Sequence, residues 1–335
     1  MSQTSRPVRD PAGAPAGRVI GARRWLRPFL AVPTPVIFVT AALIATWLLW
    51  RQGSLANVAA SLRSVSAWQV VGILIVYALS ILILGFRWHV LVRLAGGDPA
   101  WTSSAEVFLT SVIVNYAAPI GLAVPTRAAL TVRDLGLPPV QSAAVVGWEL
   151  ALDVLALLGL SGIWLALGGM GLLGTVSIDQ GLLVVAIGAA VLGMVALGAI
   201  SRIATIRERI VSLLGPMVAR PAQRPALAFV ATVLTILFWL LQSGVMAALL
   251  QVFGVSPTIP LVAGLMGLPV LIGMLSPVPG GAGVREALMA AAARLDGVPG
   301  APVILAAVAY RLALFVVTPL VWAGLRLARG RGGRR

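Results

Sequence analysis

Residues 276–288 read SPVPGGAGVREAL: two prolines and three glycines, then an Arg–Glu pair, within a strongly apolar chain. Proline removes a backbone N–H and clashes with the preceding turn, so it stops a helix that enters the segment. Glycine then allows a tight turn. The pattern predicts a tip joining two helical arms, 259–275 entering and 284–295 returning, and this suits a re-entrant hairpin better than a spanning helix.

The composition around this tip is that of an integral membrane protein. Hydrophobic residues make up 59% of the 335 residues and charged residues 10%, whereas soluble domains carry roughly a quarter charged residues. Six apolar runs reach the ~17–25 residues that a membrane-spanning helix needs: 33–50, 68–86, 141–168, 181–200, 225–250 and 302–325. Two further runs, 103–124 and 259–276, are interrupted by Pro, Gly or polar residues. We therefore expect an all-α fold.

Several functional classes are disfavoured by residue content. The chain has no cysteine and a single histidine, His89, so we expect no thiolate or zinc site, no cofactor and no catalytic residue. Dinucleotide-binding and P-loop signatures are missing around the glycines, and no nucleic-acid partner is expected. We divide the chain into a disordered basic tail (1–28), one membrane domain (29–327) and a basic C-terminal tail (328–335).

Arginine counting predicts the topology, because basic loops stay on the cytoplasmic side. Both tails and the loop 201–225 are rich in arginine, while 169–180 has none. If all eight apolar runs spanned, the loop 201–225 would fall outside. If 103–124 and 259–276 instead enter and return, all three basic segments are cytoplasmic. The prediction is six spanning helices plus two re-entrant helical hairpins, in the cell inner (plasma) membrane, with both termini cytoplasmic.

The two hairpin tips resemble each other. PIGLAVPTRAAL (119–130) can be set against PVPGGAGVREAL (277–288), which matches Arg127 with Arg285. Two halves with three crossings each would run in opposite orientations, as in inverted-repeat transporters that bind substrate near the midplane. Chance similarity among Ala-, Leu- and Gly-rich sequences is the competing explanation.

Charged residues within the apolar runs are the candidate substrate-binding residues. Glu149 and Asp153 lie four apart, on one helix face, roughly 15 and 21 Å from Pro139, and Arg311 lies roughly 14 Å from Pro302. Ionisable groups at such depth cost ~2.5–3.5 kcal/mol each on insertion scales. One interpretation is structural, a buried Asp153–Arg311 or Glu149–Arg127 bridge. The other is a polar cavity that binds an anionic headgroup.

The hairpins add further candidates to this cavity. Arg127 and Arg285 begin returning arms, whose N-terminal ends attract anions. Gly280 and Gly281 would bring backbone amides to a ligand, and Glu286 would hold Arg285 or an amine on the substrate. Three weaker interpretations complete the set: Glu106 and Asn115 facing the same cavity, and Arg87–His89 as an interfacial anchor at a helix end.

The chain resembles the lysylphosphatidylglycerol synthase transmembrane family, which has a flippase-like domain. The resemblance rests on FRWHVLVRLAGG (86–97), Pro119 to Arg127 ahead of LTVRDLG, WELALD (148–153), PVPGGAGVREA (277–287) and AYRLALFVVTPLVWAGL (309–325). Departures occur at Pro125 and Thr126, where the family usually has an acid before the arginine, and at Leu150, where members often have arginine.

The resemblance implies a translocase that moves an anionic or aminoacylated phospholipid, or a polyprenyl-phosphate-linked sugar, between leaflets. We expect no aminoacyl transfer, since that requires a separate soluble domain. Two alternatives remain: an intramembrane transferase acting on a lipid-linked donor, with Asp153 and Glu286 as acid–base groups, or a non-catalytic membrane partner of a separately encoded synthase or glycosyltransferase.

Overall fold

The computed structural model describes residues 63, 65–117, 123–169, 215, 219–276 and 281–332. No strand occurs among these residues. Their α-helices are α1 (Ala67–Leu94), α2 (Trp101–Ala117), α3 (Ala123–Leu135), α4 (Pro139–Trp164), α5 (Pro225–Val252), α6 (Ile259–Met266), α7 (Leu268–Leu275), α8 (Val284–Leu295) and α9 (Gly300–Gly332). A single π-helical turn, Leu165–Gly169, extends α4. The all-α fold is confirmed for the described part of the chain.

Within the described ranges, four helices are long and apolar enough to cross a membrane: Ala67–Leu94, Pro139–Gly168, Pro225–Val252 and Gly300–Arg329. They correspond to four of the six predicted spans. The other two, 33–50 and 181–200, lie outside the described residues, as does the predicted N-terminal tail. Helix α9 continues to Gly332, so the first residues of the predicted C-terminal tail, which begins at 328, belong to this helix.

Local sequence signals set the helix starts. Ser66 and Gln69 form a capping box before α1, in which each side chain accepts a hydrogen bond from the other residue's backbone N–H. Proline occupies the first position of both α4 and α5, where its missing N–H would have no partner in any case. Thr258 caps α6 through a bond from Leu261 N at 3.3 Å. These signals set where α1, α4, α5 and α6 begin.

The helices α2 and α3 pack against each other, and the pair begins and ends at the same end of the bundle. Gly97, which precedes α2, lies against the side chain of Leu137, which follows α3. This end also holds the end of α1 and the start of α4. The described part of the interrupted apolar run 103–124 therefore lies mostly in α2, and α3 follows it back to the same end of the bundle.

The helices α6, α7 and α8 form a second such unit at the opposite end. Gly168, at the end of α4, lies against Pro260 near the start of α6. Trp164 Nε1 donates to Asp296, just after α8, at 3.2 Å. Entry and exit of this unit are thus both at the far end of α4.

The tip of this second unit is tightly packed. Gly281 has φ +65°, and a Cβ placed on it would collide with the carbonyl oxygen of Gly273 in α7. Only glycine fits such a position without displacing backbone. The entering and returning arms therefore touch through main chain.

Arginine-bearing segments gather at the end of the bundle where α1 finishes. Arg224 Nη1 donates to the carbonyl of Arg93 at 2.7 Å, which joins the start of α5 to the end of α1. Arg326 and Arg329, late in α9, bond Glu106 of α2 at 2.6 and 2.9 Å. Glu106 thus serves to tie α2 to α9 at an exposed edge, and the expectation that it faces the cavity was wrong. The side chain of Asn115 is not among those described.

Candidate functional site

A cavity of about 380 Å³ lies between the two short-helix units and the long helices. Most of its lining is aliphatic or aromatic, including Tyr77, Phe108 and Trp239. The charged residues in the lining are Arg87, Arg127, Glu149, Asp153 and Arg285. An apolar cavity with a few converging polar groups is the usual form of a small-ligand site.

Arg87 of α1 is the centre of the charged network. It is 1% exposed, and its guanidinium bonds both oxygens of Asp153, with Nη1–Oδ1 at 2.5 Å and Nη2–Oδ2 at 3.0 Å. The same group reaches Glu149 Oε1 at 3.3 Å and Thr235 Oγ1 at 3.2 Å. The planar guanidinium fork suits this two-oxygen arrangement. Arg87 therefore joins α1, α4 and α5 inside the bundle.

Arg127 of α3 forms the second part of the network. Its Nη1 bonds Glu149 Oε1, and its Nε donates to Ser111 Oγ at 2.8 Å. The guanidinium carbon lies 4.1 Å from the Phe108 ring centroid and 5.3 Å from that of Trp88. Cations stacked on aromatic faces gain a further attraction. The predicted Glu149–Arg127 bridge is confirmed.

The two carboxylates of α4 are thus neutralised by the two arginines. Glu149 Oε1 accepts from both Arg87 and Arg127, while Asp153 accepts from Arg87 and from Trp239 Nε1 at 3.0 Å. Two positive and two negative charges balance within this buried group. A buried charge cluster survives only when it is paired and hydrogen-bonded in this way. These four side chains join α1, α3 and α4, and their bonds to Thr235 and Trp239 add α5.

Arg285 differs from the other cavity arginines. It is the second residue of α8, half-buried, and among the described residues no carboxylate pairs with it. Its nearest polar contact is the thioether of Met266, with Nη2–Sδ at 3.8 Å. Its guanidinium carbon lies 4.9 Å from the ring centroid of Tyr310. The lining as described therefore keeps one positive charge without a counter-charge.

Glu286 and Arg311 form a separate buried pair behind this arginine. Arg311 Nε lies 2.8 Å from Glu286 Oε1, close enough for an ion pair, although the N–H does not point at the oxygen as a hydrogen bond requires. Glu286 Oε2 also accepts from Gly283 N at 2.7 Å, which caps the start of α8. Neither residue lines the cavity.

Two predicted pairings were therefore wrong. Asp153 pairs with Arg87 and not with Arg311, and Glu286 pairs with Arg311 and not with Arg285. The cause is the rotation of the helices about their axes, which depth along an apolar run does not determine.

Of the predicted substrate-binding residues, the structure brings four to one cavity: Arg127, Glu149, Asp153 and Arg285. Gly281 lies at the tip contact described above, and Gly280 lies outside the described residues. Glu286 and Arg311 are buried but away from the lining. The prediction that these eight residues bind substrate stays a prediction.

Sequence reasoning missed Arg87, which was interpreted as part of an interfacial anchor. The apolar run appeared to end at residue 86, but α1 continues to Leu94, two turns beyond Arg87. A usable signal was present: Ser80 and Arg87 are seven residues apart, hence on one helix face, and both are buried there. His89 belongs to the same helix and contacts Ser104 Oγ at 3.4 Å.

The chemistry open to this cavity is recognition of an anion. Within the described residues no group of three or more His, Asp or Glu side chains could hold a metal ion. A second groove of about 410 Å³, between the start of α1 and the end of α5, is lined without any charged side chain. It offers nothing to orient a charged ligand. The cavity at Arg285 is therefore the candidate site.

Comparison with known proteins identifies the family of the chain. The family described as "Lysylphosphatidylglycerol synthase TM region" matches residues 36–321, most of the chain. No curated protein sequence and no solved structure gives a significant match. The chain therefore belongs to the lysylphosphatidylglycerol synthase transmembrane-region family.

Proposed function

We propose that this protein is a non-catalytic membrane translocase that moves a lipid with a phosphate-bearing headgroup between leaflets. The candidate lipids are an anionic or aminoacylated phospholipid and a polyprenyl-phosphate-linked sugar. All of them share a phosphate next to a long apolar tail. The proposal includes insertion in the plasma membrane with both termini cytoplasmic.

Arg285 is the observation that carries the proposal. It is the one arginine of the described cavity lining without a carboxylate partner, and it lies beside the aromatic ring of Tyr310. Arginine binds phosphate with two parallel hydrogen bonds, and such charge-assisted bonds are strong in a partly buried site. An apolar, aromatic lining suits the rest of a lipid better than it suits water or a free ion.

The arrangement of the two short-helix units supports transport. Each unit begins and ends at one end of the bundle, and the two units occupy opposite ends. Arg127 and Arg285, near the starts of the two returning arms, both line the cavity. Inverted-repeat transporters bind substrate between two such broken elements near the midplane. We therefore propose that both units are re-entrant hairpins, related by an inverted repeat.

An intramembrane transferase is less well supported. Asp153 and Glu286 are each engaged by a buried arginine, and Glu286 does not line the cavity, so neither carboxylate is free to act on a bound substrate. The third candidate is a partner of a separately encoded synthase or glycosyltransferase. No described surface argues for such a partner, so this candidate rests on the family resemblance alone.

Reconstitution into liposomes tests the proposal. Purified protein would be reconstituted into vesicles that contain traces of lipid with a fluorophore on the acyl chain. Movement of the labelled lipid from the inner to the outer leaflet would be followed by quenching of the fluorophore with external dithionite. We expect movement of phosphate-bearing lipids by the native protein and a loss of most activity in Arg285→Gln. The matched control is Arg133→Gln, which removes an arginine whose side chain is 74% exposed.

Equal rates for Arg285→Gln, the control and the native protein would refute Arg285 as the phosphate-binding residue. No movement above protein-free vesicles for any lipid would refute the translocase. Co-purification of a synthase together with inactive vesicles would favour the partner role instead.

A further inference from the structure

A charged cluster lies on the surface of the bundle where α2 meets α9, and none of its residues lines the cavity. Glu106 of α2 accepts a hydrogen bond on each carboxylate oxygen: Arg326 Nε lies 2.6 Å from Oε1, and Arg329 Nη1 lies 2.9 Å from Oε2. The two arginine side chains are 57% and 54% exposed. The cluster therefore presents one net positive charge to its surroundings.

The carboxylate of Glu106 holds the two guanidinium groups in place. Each arginine has five N–H donors. Glu106 engages one nitrogen of each, and no other side-chain acceptor bonds them among the described residues. The Trp322 ring centroid lies 4.4 Å from the guanidinium carbon of Arg326, and Thr110 Oγ1 accepts from the Trp322 indole at 3.1 Å. Donors held in place before a ligand arrives lose less freedom on binding, so the remaining N–H groups suit an anion.

Another exposed arginine at the same end of the bundle shows a different arrangement. Arg133, near the end of α3, bonds both oxygens of Asp134 at 2.6 and 3.0 Å. One arginine and one carboxylate cancel there, so that pair has no net charge. The cluster at Glu106 thus differs from this pair by its excess positive charge and not by its exposure.

The cluster lies at the level of the lipid headgroups. The candidate span of α9 runs from Gly300 to Arg329, and its 30 residues correspond to ~45 Å along a helix. A bilayer with its headgroup regions is ~40–45 Å thick. Toward the middle of the same helix, Leu320 is 66% exposed and Val316 is exposed as well. A lipid whose headgroup bound the arginines would lay its acyl chains along this apolar face.

We propose that Glu106, Arg326 and Arg329 form a binding site for an anionic phospholipid of the leaflet that surrounds this end of the bundle. The excess positive charge attracts the lipid phosphate, and arginine nitrogens not engaged by Glu106 donate to its oxygens. The acyl chains contact Leu320. Because the cluster joins α2 to α9, a bound lipid stabilises the packing of these two helices. The site is separate from the cavity at Arg285 and does not depend on the translocase proposal.

A local fluorescence measurement on the full-length protein tests this site. The chain has no cysteine, so Leu320→Cys provides a single attachment point for a fluorophore, ~9 Å from Arg326 toward the membrane centre. The labelled protein would be reconstituted in phosphatidylcholine bilayers with a minor fraction of lipid carrying brominated acyl chains, which quench a fluorophore at contact. The brominated lipid would be phosphatidylglycerol or phosphatidylcholine. We expect phosphatidylglycerol to occupy the site about fivefold more at equal mole fraction, the factor that one net charge near a membrane produces.

Three variants locate the binding charge. Arg329→Gln leaves Glu106 paired with Arg326 and makes the cluster neutral, so the preference for phosphatidylglycerol should disappear. Arg133→Gln, the matched control, removes an exposed arginine at the same end and should keep the preference. Arg285→Gln should also keep it. A preference lost in Arg285→Gln would overturn the inference, because the quenching lipid would then be a lipid of the cavity.

The same measurement separates a lipid from other ligands. Equal quenching by the two brominated lipids, or an unchanged preference in Arg329→Gln, would overturn the inference. An acidic protein segment as the ligand also predicts equal quenching. Inorganic phosphate should reduce the preference no more than chloride at the same ionic strength. If phosphate abolishes it and chloride does not, the arginines bind a soluble anion and not a lipid.

Discussion

Asp153→Asn is the most informative test of the buried network. Asp153 accepts two bonds from Arg87, at 2.5 and 3.0 Å, and one from Trp239 at 3.0 Å. Asparagine keeps the shape and removes the charge, so the change creates no cavity. Arg87 and Arg127 then share the single charge of Glu149. Removing one partner of a buried ion pair costs ~3–5 kcal/mol, and we expect the lower end because Glu149 stays within reach of Arg87.

A double-mutant cycle identifies the partner of Asp153. Adding Arg87→Gln to Asp153→Asn makes the network neutral again, so the double variant should be more stable than the sum of the single losses by ~2–3 kcal/mol. The matched control adds Arg311→Gln instead, which removes a different buried arginine. Because Arg311 pairs with Glu286, this combination should show no recovery.

Unfolding free energies of the purified variants in mixed micelles would provide the measurement. The chain contains 10 tryptophans, so intrinsic fluorescence can follow the transition during SDS titration. Recovery of stability in Asp153→Asn with Arg311→Gln, together with none in Asp153→Asn with Arg87→Gln, would refute the network described here. That result would instead support an Asp153–Arg311 pair, which depth along the helices predicted.

Three further predictions concern topology, tip packing and the phosphate site. Asp98→Cys should react with a membrane-impermeant thiol reagent only from the cytoplasm and Ser256→Cys only from outside; labelling from the same side would contradict the proposed orientation of the two hairpins. Gly281→Ala should destabilise the fold by ~1–3 kcal/mol because its Cβ would meet backbone at positive φ. Gly159→Ala, whose Cβ meets nothing within 4 Å, should cause no loss of stability in the same titration, since alanine favours the helix interior. Arg285→Lys keeps the charge without the planar fork, so lipid flux should be intermediate between native and Arg285→Gln; flux equal to native would argue against two-point phosphate binding.

Much of the fold could be predicted from sequence because the relevant signals are local. Run length identified four helices that the structure contains. Proline and glycine marked the breaks at both short-helix units. Arginine counting predicted that the loop before α5 and the C-terminal tail share one side, and Arg224 before α5 and Arg326 late in α9 both make contacts at the end of the bundle where α1 finishes. The six-span topology with re-entrant hairpins stays a prediction.

The site could be predicted only in part, because it depends on which helix faces meet. Depth along the helix correctly put Glu149 and Asp153 at the level of other charged residues. Depth does not determine how a helix is rotated about its axis, and so the partner of Asp153 was misassigned. Arg87 was missed because hydropathy falls before α1 ends.

The distribution of partners separates the residues that stabilise the bundle from the residue proposed to bind substrate. Arg87 and Arg127 each neutralise a carboxylate on α4. If either arginine bound a ligand anion instead, a buried carboxylate would lose its ion pair. Arg285 forms no ion pair among the described residues, so its removal would leave no buried carboxylate unpaired. Arg285→Gln should therefore change the unfolding free energy by less than ~1 kcal/mol while lipid binding falls, whereas Arg127→Gln should destabilise the fold by ~3 kcal/mol or more. If instead the two variants lose stability equally, Arg285 is part of the structural network, and the positive charge assigned to the phosphate is not available to it.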